Sequence, residues 1–168
     1  MAFTHTEIMT ARKAVRPLSA WQPADSGGQI RFRAPLAIGG AIVEGLFLHG
    51  RSLISEPGRD VSFSLEYSPV GSKATLDRVD WKPLTGHTNK GAGPAGLRFR
   101  VIEGSHRHSF NANLTSEGVL RTGNLPIAEP IEAELLTFES LVRYIQCIYN
   151  IEGLENLPPP QWMEDLFG

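Results

Sequence analysis

Val61-Ser-Phe-Ser-Leu-Glu-Tyr67 decides the fold. Val61, Phe63, Leu65 and Tyr67 alternate with Ser62, Ser64 and Glu66. Successive side chains of a strand point to opposite faces, so this stretch reads as a strand with one buried and one wet face. Downstream, Ser68-Pro-Val-Gly71 turns and Leu76 to Trp81 follows as a strand. Leu97, Phe99 and Val101 then alternate with Arg98 and Arg100. Glu103-Gly-Ser105 turns into His106 to Leu114, where His106, His108, Phe110, Ala112 and Leu114 share one face. Short turns between neighbouring strands predict antiparallel hairpins.

Upstream, Ile30, Phe32 and Ala34 alternate with Arg31 and Arg33. Ala41 to Leu48 is apolar on both parities except at Glu44 and Gly45, which predicts a central strand with a bulge or a close backbone approach. Ile8, Ala11, Val15 and Leu18 suit a short helix ending near Pro17.

A sheet with one buried face needs a cover. Thr137 is a good N-cap, and Phe138, Leu141, Val142, Ile145, Ile148 and Tyr149 make a helical stripe ending at Asn150. The expected fold is therefore α+β: an antiparallel sheet of about five or six strands covered by one C-terminal amphipathic helix. Residues 1–28 read as an N-terminal segment and 29–153 as the α+β domain. Residues 154–168 read as a Pro-rich spacer with an acidic, aromatic tail.

The chain has 168 residues, 41% of them hydrophobic and 20% charged, enough for one core and too apolar for wholesale disorder. The longest apolar stretch, residues 34–48, is interrupted by Gly39, Gly40, Glu44 and Gly45, so no membrane span is expected. Residues 1–7 have no charged region followed by an apolar one, so a cytoplasmic location is expected by default. Cys147 is the only cysteine; an intrachain disulfide is excluded, and a buried structural thiol is expected. Residues 1–123 carry fifteen Lys and Arg against ten Asp and Glu, whereas 124–168 carry one against eight. Such asymmetry suits either a nucleic-acid contact or a docking tail, and it also serves solubility.

Three constellations carry candidate chemistry. His106 and His108, at i and i+2 on a strand, point the same way, and His87 can add a third ligand, with Glu103 or Glu117 as a carboxylate. Neutral imidazoles so placed suit zinc, iron or copper. The cupin spacing does not apply, because Arg100, Ala112 and Asn113 stand where that pattern needs glycine and glutamate. Arg31, Arg33, Arg98 and Arg100 would form one basic face if their strands were neighbours, a surface for phosphates. Trp162, Met163, Leu166 and Phe167 lie on one side of a short helical turn that docks on a partner or folds back. There is no nucleophile elbow, and Gly91-Ala-Gly-Pro94 precedes a strand, not a helix.

The Gly86-His-Thr-Asn89 loop, the Ser105-His-Arg-His108 strand and the helix from Phe138 resemble a pattern in small uncharacterised bacterial proteins found near prophage genes. The resemblance spans residues 76–151, with Lys90 and Gly91 where that family has proline and aspartate. It implies a phage- or defence-related setting and a His-bearing hairpin as a family feature, and no activity.

No motif names a reaction. The leading expectation is a non-enzymatic binding module with a protein or nucleic-acid partner and no resident cofactor. The alternatives are a metal-dependent hydrolase or nuclease built on the histidines, with zinc or iron, and a protein that self-associates through its tail.

Overall fold

The computed structural model describes residues 2–69, 73–121 and 124–163. In chain order the elements are helix α1 (His5–Thr10), strands β1 (Lys13–Val15), β2 (Gln29–Ile38), β3 (Ala41–Leu53), β4 (Val61–Tyr67), β5 (Ala74–Trp81), β6 (His87–Thr88), β7 (Val101–Ile102), β8 (His106–His108) and β9 (Glu129–Pro130), helix α2 (Phe138–Tyr149) and β10 (Ile151–Glu152). Among the described residues, β10, β1, β2, β3, β4, β5, β8 and β9 form one sheet in that order, and β6 pairs with β7 in a separate ribbon. All pairs are antiparallel except β1 with β10, which is parallel.

The α+β class and the C-terminal helix are as expected, but the sheet has eight strands and is mixed. The surplus strands hold two or three residues each, too few for alternation to be read. Residues 8–18 are not one helix: α1 stops at Thr10, and Lys13–Val15 enters the sheet between β2 and β10. The Lys13 side chain folds back to finish α1, donating from Nζ to the carbonyls of Ile8 and Ala11, both at 2.6 Å. Burial pushes its pKa down to about 8.

One face of the sheet is dry. Phe32, Leu48, Phe63, Leu65, Val79 and Trp81 meet Phe138, Leu141, Val142, Ile145 and Tyr149 of α2. Thr137 caps α2 by accepting from the Ser140 amide, and Asn150 ends it in the left-handed region at φ 51°. Cys147 lies off the buried stripe and is exposed, contrary to expectation. Gly45, at φ 78°, marks the expected close approach: its carbonyl accepts from the Ser68 amide at 2.8 Å.

A bulge sorts the polar residues of β5. Glu66 faces Thr75 while Leu65 faces Asp77, leaving Leu76 as the extra residue. Asp77 thereby turns under α2 with Val79 and Trp81. There it accepts from Arg107 (2.8 and 2.9 Å), the Phe110 amide (2.9 Å) and the Tyr149 hydroxyl (3.1 Å). Arg78 and Asp80 turn to the opposite, open face.

Candidate metal centre

Two polar rows cross the open face in register. The first runs Arg31, Arg51, Ser62, Asp80, His106 across β2, β3, β4, β5 and β8; the second runs Arg33, His49, Ser64, Arg78, His108. At about 4.8 Å per strand step, His106 stands roughly 14 Å from Arg51 and 19 Å from Arg31. The β6–β7 ribbon brings His87 over the β8 end. The rows and the ribbon enclose a cleft of about 510 Å³ lined by Arg31, Arg51, Ser62, Arg78, Asp80, His87 and His106, among others.

His87, His106 and His108 converge, each offering a ring nitrogen within 4.8 Å of the others. Their second nitrogens face backbone carbonyls: His106 Nδ1 to Gly104 (2.9 Å), His108 Nδ1 to Leu125 (2.6 Å) and His87 Nε2 to Pro126 (3.0 Å). A carbonyl only accepts, so these nitrogens carry the protons. The neutral rings therefore keep lone pairs on His106 Nε2, His108 Nε2 and His87 Nδ1. Metal-binding histidines are held in the same way. Burial holds His108 below its ordinary pKa, favouring that neutral form.

The carboxylate at the site is Asp80, not Glu103 or Glu117. Its Oδ2 lies 3.3 Å from both His106 Nε2 and His108 Nε2. Burial pushes this carboxyl up, but the adjoining His106 and His108 rings, the Arg78 charge and the Ser62 hydroxyl together hold it well below the usual carboxylate range. An anion facing two imidazole lone pairs is an electrostatic niche for a cation. Arg78 supplies part of that charge: Nε reaches Asp80 Oδ2 at 3.0 Å and Nη2 reaches His108 Nε2 at 2.7 Å.

Two buried asparagines fix the carbonyls that orient the rings. Asn89 grips Ala128, donating to its carbonyl (2.7 Å) and accepting from its amide (2.8 Å), and it also donates to Leu97 O (2.9 Å). Asn113 grips Ile127 in the same two-way fashion at 2.8 and 2.9 Å. Residues 125–128 are thus pinned twice, directly beside the carbonyls that hold His108 and His87.

The four-arginine face does not form. Arg31 and Arg33 lie on β2, but Arg98 and Arg100 sit outside the large sheet, in the segment leading into β7. Phe99 between them adopts φ 58° and is 76% exposed, a conformation no strand interior accepts. Arg33 stacks over Phe47 at 3.5 Å. Trp162 folds back onto its own domain, donating to Ser52 Oγ at 2.8 Å and packing edge-on against Phe138. The Met163 amide bonds Ile54 O while its side chain stays exposed. Leu166 and Phe167 lie outside the described residues.

Sequence reading missed Asp80, Arg78, Arg51, Asn89 and Asn113. The available signal was Arg78-Val-Asp80, two charges of one parity beside a buried valine. No helix among the described residues is long and apolar enough to cross a membrane. No protein-family model matches the chain, and no curated protein or solved structure matches it.

Proposed function

We propose that the protein is a metal-dependent hydrolase with one zinc or iron ion held by His87, His106 and His108. The observation that carries this reading is the set of three converging imidazoles. Each spends one N–H on a backbone carbonyl, and two aim a lone pair at the Asp80 carboxylate. Three protein ligands beside an open cleft leave room for a water, and a bound divalent ion lowers that water's pKa toward neutrality. Asp80 stays ionised and is placed to orient such a water or to complete the ligand set.

A second reading rests on Arg78, whose guanidinium already donates to His108 Nε2. In it the cleft is a metal-free binding site, and the protein is a non-enzymatic binding module. Elemental analysis of tag-free protein, wild type and His106→Ala/His108→Ala, separates the two. About one zinc or iron per chain, lost in the variant, is expected. Absence of metal from the wild type after incubation with zinc or iron(II) and desalting overturns the hydrolase reading in favour of the second.

A further inference from the structure

Arg31 and Arg51 face each other across β2 and β3, directly opposite in register and on one face of the sheet. Like charges so placed destabilise a sheet unless something anionic lies between them. Their neighbours do little to neutralise them. Arg31 reaches Gln29 at 2.6 Å and lies 4.0 Å from Asp25, while Arg51 makes no ion pair among the described residues. Both line the same cleft as His87 and His106. Between the two ends lie the hydroxyls of Ser62 and Ser64, with no apolar side chain larger than Pro83 in the lining.

We infer that Arg31 and Arg51 form a phosphate subsite at the far end of the cleft. The substrate class is then an elongated, hydroxyl-rich phosphorylated small molecule. Paired guanidinium forks match phosphate oxygens in charge and geometry. A cleft of about 510 Å³ has the volume of a small-molecule site. The phosphate is an anchor, roughly 14 Å from the histidines, and not the group that reacts. The serine hydroxyls offer partners to a sugar-like body lying between. This inference rests on the hydrolase reading for the other end of the cleft.

The test titrates inorganic phosphate into metal-stripped protein and follows the arginine Nε–H signals by NMR. Saturable shifts of Arg31 and Arg51 are expected. Affinity should fall at least tenfold in Arg51→Gln and vanish in Arg31→Gln/Arg51→Gln. Phosphate that shifts neither arginine, or binds the Arg31→Gln/Arg51→Gln variant undiminished, overturns the subsite. Metal content read on unstripped samples keeps the two claims apart. A wild type that holds metal but binds no phosphate defeats the subsite alone, whereas phosphate bound by a wild type that takes up no metal defeats the hydrolase reading and leaves the anion site standing.

Discussion

Replacing Asn89 by alanine tests whether the fold and the proposed metal centre are joined where the geometry joins them. The side chain is 1% exposed and makes three hydrogen bonds, all to backbone: two to Ala128 and one to Leu97. At about 1 kcal/mol net per bond, alanine costs about 3 kcal/mol, and more if the orphaned groups stay dry. That is a large share of an ordinary domain's stability. The loss also removes one of the two grips on residues 125–128, whose carbonyls hold the His87 and His108 rings, and loss of such outer support typically weakens metal binding about 10- to 100-fold. Asn89→Asp keeps the acceptor for the Ala128 amide but sets a carboxylate against two carbonyls, so it should destabilise at least as much. Urea denaturation of metal-free protein measures the first effect; competition against a chromophoric chelator measures zinc affinity. An Asn89→Ala protein within about 1 kcal/mol of wild type would refute the stability argument. A destabilised protein with unchanged zinc affinity would refute the coupling.

Two further outcomes are expected. Trp162→Ala removes an edge contact with Phe138 and a bond to Ser52; it should cost about 2 kcal/mol with no change in sedimentation, and unchanged stability with altered assembly would instead show the tail acting on a partner. Lys13 has a folded pKa of about 8 against an ordinary value near 10.4, so between those pH values the unfolded chain binds more protons and stability should rise with pH. Integrated from pH 8 to pH 10, that difference is worth about 2 kcal/mol. Urea denaturation at pH 8 and pH 10 reads it, and a wild-type slope no steeper than that of Lys13→Met would sink the argument.

What was legible in the sequence tracks the length of each pattern. Strand β4 alternates over seven residues and α2 runs a stripe over twelve, so both are read from spacing alone. Strands β1, β8, β9 and β10 have two or three residues each, and their existence depends on partners far along the chain. The shared face of His106 and His108 followed from strand parity. Asp80 did not, because a bulge at Leu76 decides which acidic residue of β5 faces the open side and which is buried under α2. The arginine pairing failed at Phe99, where one left-handed residue breaks the alternation that the letters display. Hydrogen bonds to backbone carbonyls, which set the ring orientations, leave no trace in residue identity.

The parallel pairing of residue 13 with residue 151 also dictates an order of events. Strands β2 to β5 each pair with their sequence neighbour, so their closure entropy is small and the meander can assemble early. The β1–β10 edge needs almost the whole chain in place, and α2 leads directly into it. Refolding should therefore protect the Phe63 and Leu65 amides from exchange before that of Lys13, which bonds to Asn150 O. Until that edge closes, the apolar face of the meander lacks its cover, and that interval is when the chain is most exposed to aggregation.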